Sequence, residues 1–157
     1  DLDPISVELT YGLERIAAFL QGVDSVFDLR WSDDATYGQL RLAEEQQFSD
    51  YSFQRAGGET TRRLFELTEQ EAERLLNAYG KLKPAEKGRF PVLPVYDLCL
   101  KCSHLFNVLD SRGLISTTER AALIGRIRAQ ACRVAEAYLD QRAISRAAEV
   151  STHLETA

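Results

Sequence analysis

The chain has 157 residues, about one domain of ordinary size, and its 45% hydrophobic and 27% charged residues place it with globular rather than disordered proteins. With 24 acidic against 19 basic side chains the formal net charge is −5, which disfavours a binder held to nucleic acid by one large cationic surface. No stretch approaches the ~18–20 uninterrupted apolar residues of a membrane span, so no membrane partner is expected, and the N-terminus lacks the basic start and apolar run of a signal peptide. The expected location is the cytoplasm, or an organelle after leader removal. Three cysteines do not describe a disulfide framework and fit a reducing compartment. The complete absence of methionine predicts a processed, excised or truncated piece rather than a whole reading frame.

Asp1 to Pro4 reads as a loop. Ile5-Ser6-Val7-Glu8-Leu9-Thr10-Tyr11 alternates apolar and polar residues, which predicts a strand with Ile5, Val7, Leu9 and Tyr11 on a core face and Glu8, Thr10 and Gly12 on the other. From Leu13 the period changes: Leu13, Ile16, Ala17 and Leu20 predict a short helix that Gly22 stops. Residues 31–58, rich in aromatics, read as structured connecting loops, in which Trp31 is expected to pin a loop to the core rather than serve as a base-stacking platform. Leu64, Phe65, Ala72, Leu75, Leu76 and Tyr79 predict a helix over 59–79, and 80–94 reads as a linker.

Val95, Leu98, Cys99, Cys102, Leu105, Phe106 and Leu109 then mark the most periodic helix, ended near Gly113. Ser116-Thr-Thr-Glu119 has the spacing of a capping box, opening a helix to about Arg142 whose buried stripe is expected at Leu123, Ile127, Ala131, Val134 and Tyr138. Residues 143–157 read as a fraying tail or tether. The fold class expected is mainly α: a strand-helix remnant at 1–30, loops at 31–58, a helical bundle over 59–142 with its linker at 80–94, and the tail.

The junction between the predicted strand and helix carries the most chemistry. Gly12 lets a ligand approach the backbone closely, and Arg15 in the first helical turn projects a cation whose planar fork suits phosphate. Cys99-Leu-Lys-Cys102 with His104 invites a zinc reading, but both cysteines fall on an apolar stripe and four ligands are not in view, so no metal is expected. His104 reads as a structural or interface histidine, and His153 carries no signal. Arg120, Arg126, Arg128 and Arg133 on the last helix read first as a solvated face.

The run Val7-Glu8-Leu9-Thr10-Tyr11-Gly12-Leu13-Glu14-Arg15-Ile16, continuing through Gln21 to Leu29, resembles motif 3 of the class II aminoacyl-tRNA synthetases as it occurs in the α subunit of bacterial-type glycyl-tRNA synthetase. Trp31-Ser-Asp33, Thr36-Tyr-Gly38, Ser49 to Phe53, Ser103 to Gly113, Ile115 to Arg120 and Val134 to Tyr138 resemble later landmarks in the same order. The resemblance lacks counterparts of motifs 1 and 2, so it implies the C-terminal part of the subunit, with the end of an antiparallel-sheet catalytic domain. It implies a glycine–tRNA ligase that activates glycine with ATP and Mg²⁺ to glycyl-adenylate and transfers it to tRNA(Gly), an activity this chain alone is not expected to have. Arg15 would be the catalytic arginine on the ATP γ-phosphate, with Gly12 and Glu14 also at ATP; Glu8, Thr10 and Gly12 would bind glycine. The implied partners are a β subunit, separate or fused, and a second α subunit, with the arginines of the last helix as candidate contacts for tRNA or β. The competing expectations are a non-catalytic helical interaction module of the same ancestry and, behind it, a different class II synthetase.

Overall fold

The computed structural model describes residues 4–155, with side chains through residue 147. The described chain is mainly helical and divides after Tyr51 into two compact units. Asp1–Asp3 of the loop expected over Asp1–Pro4, and the side chain of His153, lie outside the described residues.

The first unit contains α1 (Leu13–Gln21), a 3₁₀ turn (Val26–Asp28) and α2 (Tyr37–Asp50). α1 starts and stops where the period changes, because Gly22 takes the left-handed conformation (φ 66°) and the Val23 amide then closes on the Ala18 carbonyl at 3.1 Å. The strand expected over Ile5–Tyr11 does not form. Alternation alone does not make a strand, which needs a neighbour for its backbone groups, and among the described residues this segment has none. Its apolar side chains, Ile5, Val7, Leu9 and Tyr11, are 72 to 88% exposed instead of forming core. The nearest approach to pairing in this unit is a single antiparallel bridge, Arg30 with Thr36, which closes a tight loop.

The connecting loops expected over 31–58 contain a full helix. Thr36 Oγ1 accepts from the Gln39 amide (3.3 Å) while Gln39 Oε1 accepts from the Thr36 amide (2.8 Å), a reciprocal cap that starts α2. α2 carries no buried side chain, so it shows no apolar stripe to read. It runs into a π-helical turn over Tyr51–Arg55.

The second unit is a bundle of α3 (Gly58–Tyr79), α5 (Val92–Ser111) and α6 (Thr117–Glu155), with the short α4 (Pro84–Lys87) in the α3–α5 connection. Its core has two parts: Ala72, Leu76, Tyr79, Val92, Val95 and Val134 at one end, and Phe65, Cys102, Phe106 and Leu123 at the other. Of the residues expected on the α3 stripe, Leu64 is half exposed and Thr61 is buried in its place, its hydroxyl donating to the Gly57 carbonyl at 2.8 Å. α5 is long and apolar enough by composition to cross a membrane, but Val95, Cys99, Cys102, Phe106 and Leu109 are buried within the bundle.

The 80–94 connection is strapped down. Gln141 donates to the carbonyls of Lys87 (2.9 Å) and Phe90 (2.8 Å), and Lys87 pairs with Asp140 at 2.8 Å. α6 differs from expectation in two ways. It continues past Arg142 through the segment read as a tail, and its buried face is Leu123, Gln130, Val134 and Ala137, leaving Ala131 and Tyr138 exposed. Ser116 Oγ accepts from the Glu119 amide (3.2 Å), and the Glu119 carboxylate is held below the ordinary carboxylate range chiefly by Arg62, with the Ser116 amide contributing.

Candidate functional site

Residues 8–15 turn from extended chain into α1, and the structure places each candidate residue of the sequence reading on this corner. Thr10 donates its hydroxyl proton to Glu8 at 2.5 Å, so alternation does bring these two polar side chains to one side. Arg15 is exposed and its aliphatic stem lies against Gly12: a Cβ on Gly12 would stand 3.6 Å from Arg15 Cγ, ordinary contact. Gly12 itself has φ −75°, an ordinary conformation, so glycine here keeps the backbone open rather than permitting a special torsion.

Glu14, one residue earlier, faces elsewhere. It lines a cleft of about 510 Å³ with Trp31, Tyr37, Leu40 and Arg41. A second hollow of about 240 Å³ shares Glu14, Trp31 and Tyr37 and adds Gln21, Leu29 and Arg30. Arg15 lines neither. Glu14 and Arg15 are both expected at ATP, but adjacent helical positions point about 100° apart, and of the two only Glu14 enters these clefts.

The aromatic residues of this unit form a row. Tyr37 lies between Phe27 (centroids 6.3 Å apart) and Trp31 (6.0 Å). Trp31 ends the row and is 67% exposed, so where it is expected to pin its loop to the core it packs on Tyr37 at the surface. Gly38 makes the row possible: a methyl there would stand 2.7 Å from the Phe27 carbonyl oxygen. The sequence signal for this arrangement was present in Thr36-x-x-Gln39, the same capping spacing that marks Ser116–Glu119. The first unit carries eleven acidic side chains against Arg15, Arg30 and Arg41, so a ligand there meets a negative field that a few fixed arginines must overcome.

In the second unit the cysteines are free; Cys99 and Cys102 are buried on α5, and burial pushes the Cys102 thiol up to about 12. His104 is exposed on the same helix. Among the described residues no three His, Cys, Asp or Glu side chains gather where an ion could sit. The arginines of α6 are mostly engaged: Arg120 binds Asp110 at 3.0 Å, Arg126 pairs with Glu69, and Arg133 pairs with Glu73 and reaches Asn77 at 2.9 Å. The ridge expected to face solvent or a partner is therefore largely an α6–α3 and α6–α5 seam, which leaves Arg128 without an ion pair among the described residues.

Comparison with known proteins bears on the whole of this arrangement. The family model described as glycyl-tRNA synthetase alpha subunit matches residues 1–143, which spans α1 to α5 and most of α6. With the motif-like corner at Gly12–Arg15 inside the match, the chain belongs to the glycyl-tRNA synthetase alpha subunit family.

Proposed function

We propose that the corner at residues 8–15 is the motif 3 element of a class II glycine–tRNA ligase. The observation that carries this reading is Arg15: an exposed guanidinium in the first turn of α1, stem against Gly12, inside a family match over residues 1–143. In the ligase reaction the glycine carboxylate attacks the α-phosphorus of ATP, pyrophosphate leaves, and the glycyl-adenylate formed donates its acyl group to a hydroxyl at the 3′ end of tRNA(Gly), releasing AMP. Catalysis of such an in-line displacement rests on positioning and charge stabilisation. Arg15 supplies the second by holding the γ-phosphate with paired hydrogen bonds as negative charge moves toward the leaving group.

Glu8 takes the glycine ammonium, and Thr10, already bonded to it, fixes the carboxylate and narrows the pocket against larger amino acids. Gly12 allows the adenylate to lie close to the backbone. Mg²⁺ would enter with ATP as substrate, and Glu14, whose side chain lies in the neighbouring clefts and not beside Arg15, is the carboxylate that would have to turn toward it. Glu8, Thr10, Gly12 and Arg15 line neither of the two clefts that Glu14 enters; in this reading motifs 1 and 2 supply the walls of the pocket, and with them the chain works beside a second α subunit and a β subunit. Its place is in translation, in the cytoplasm or an organelle. The same openness favours a second reading, a non-catalytic helical module of this ancestry.

Glycine-dependent ATP–pyrophosphate exchange separates the two. The expected result is no exchange by the 157-residue chain, exchange by a version extended upstream with its native coding sequence, and loss of about 2–4 kcal/mol of transition-state stabilisation on Arg15→Ala. An extended, folded protein without exchange, or an Arg15→Ala loss below about threefold, would sink the ligase assignment for this corner.

A further inference from the structure

Between α5 and α6 the packing opens into an apolar groove of about 300 Å³, floored by Val92, Val134, Ala131 and Ala135 and walled by Leu93, Tyr96 and Tyr138. Leu93 and, beside Tyr138, Leu139 are each about two-thirds exposed, at 68% and 67%. Leu100, one turn beyond Tyr96 on α5, is half exposed and carries the apolar wall further.

Charge marks the two ends of this groove. Helical spacing puts Arg128 and Arg142 on the same face of α6 as Ala131, Ala135 and Tyr138, about 21 Å apart along the axis. Among the described residues Arg128 has no ion pair, and the Arg142 contacts are the Tyr138 hydroxyl (3.3 Å) and the face of that ring (5.9 Å). The two carboxylates of α6 in this span point elsewhere: Asp140 is held by Tyr79 and Lys87, and Glu136 lines a separate hollow with Tyr79 and Arg133. On the α5 side Asp97 and Lys101 neutralise each other at 2.8 Å. The groove thus offers an aliphatic floor with, at either end, an arginine that meets no carboxylate among the described residues.

From this complementarity we infer that the α5–α6 groove docks an amphipathic helix of a partner protein, with a Leu- or Phe-type stripe on its inner face and carboxylates near both ends. A second copy of the chain does not fit. Symmetric pairing of the same face sets arginine against arginine whether the α6 helices run parallel or antiparallel. A nucleic acid strand fits poorly too, since it needs aromatic platforms and cations tracking every phosphate, where this groove has an aliphatic floor. Docking uses neither Arg15 nor the ligase chemistry, so it stands or falls separately.

Calorimetric titration of the 157-residue chain with two synthetic helical peptides tests it. Both are about four turns long and share one leucine stripe; one has glutamates near its ends, the other lysines. The Glu-flanked peptide is expected to bind at least about tenfold more tightly. The double variant Arg128→Glu, Arg142→Glu reverses the order, and Leu93→Asp removes binding of both; all three positions are exposed, so thermal midpoints stay unchanged. Arg15→Ala leaves the titration as it was. Equal affinity for the two peptides, no binding of either, binding retained by Leu93→Asp, tighter binding of a single-stranded oligoribonucleotide, or a dimer in sedimentation that Leu93→Asp dissociates would each overturn the inference.

Discussion

Tyr79 ties three elements together through one side chain. Its hydroxyl proton is shared between the Ala137 carbonyl (3.0 Å) and Asp140 (2.9 Å), its ring meets Phe90 edge-on at 5.3 Å, and the Lys87 ammonium lies 4.9 Å from its centroid. Burial, with Asp140 adding to it, pushes the phenol up to about 12. A raised folded value means the contribution of the neutral phenol is complete below the ordinary 10.0 and is lost as pH rises from there through about 12. Asp140 works in the other direction: Lys87 first, then Tyr79, hold its carboxyl below the ordinary 3.8, so its share is present above that value and lost on acidification through the lower one. Thermal unfolding against pH should show Tyr79→Phe less stable by ~1 kcal/mol near neutrality and with a shallower alkaline decline than the parent. Gly38 gives a second test at this scale. Since a Cβ there would press on backbone rather than on a movable side-chain tip, Gly38→Ala should cost ~1–3 kcal/mol in urea unfolding of the first unit. The periodicity of α3 identified Tyr79 as a buried residue, but not Asp140, Ala137 and Lys87 around its tip. A period reports which face is covered and says nothing of what a polar atom meets there.

α6 shows how far the reading of a helix from its sequence reaches. Its start is marked by Ser116 and Glu119, and its expected buried face holds at Leu123 and Val134 but moves back one position at Ala131 and Tyr138, to Gln130 and Ala137. Gln130 is a polar residue at 2% exposure, and both atoms of its amide lack hydrogen-bond partners in the protein. Hydrophobicity alone could not have chosen it. Gln130→Leu should raise stability by ~1–2 kcal/mol, measured by urea unfolding, because it removes two unsatisfied polar atoms from a buried position. The seam of Arg62–Glu119, Arg126–Glu69 and Arg133–Glu73 pairs acts at the same scale. These groups are partly exposed, so a double-mutant cycle on Arg133 and Glu73 should give a coupling below about 1 kcal/mol that shrinks as salt is added. What the seam fixes is register: α3 offers a cation at Arg62 and anions at Glu69 and Glu73, and α6 answers with an anion at Glu119 and cations at Arg126 and Arg133, so a slip of one helix along the other would set unlike partners apart. α2 was missed for the opposite reason, since its only strong signal lies in its cap and its surface carries no stripe.

The two units differ in how they hold together. Leu29 is the one buried residue among the described residues of the first unit, whereas the second has two contiguous core clusters. Stability against local opening follows buried apolar contact. Amide hydrogen exchange should therefore be faster throughout α1 and α2 than in the middle of α3 and α5; equal protection in both units would contradict this account. The asymmetry also explains why the bundle was legible and the first unit was not. A core-facing stripe announces a packed helix, while the alternation of Ile5, Val7, Leu9 and Tyr11 announces a strand that does not form among the described residues. The candidate corner at Gly12–Arg15 was legible as a motif because its chemistry depends on local order along the chain, not on distant packing.

The chain has a single tryptophan, and Trp31 stands exposed at the end of the aromatic row in the first unit. Indole emission is thus an optical label for that unit alone, already centred on a solvent-facing ring. Far-ultraviolet circular dichroism, in contrast, is dominated by the long helices of the second unit. The two signals need not agree in a denaturant titration, and a single free energy fitted to either one would describe only the part of the molecule it sees.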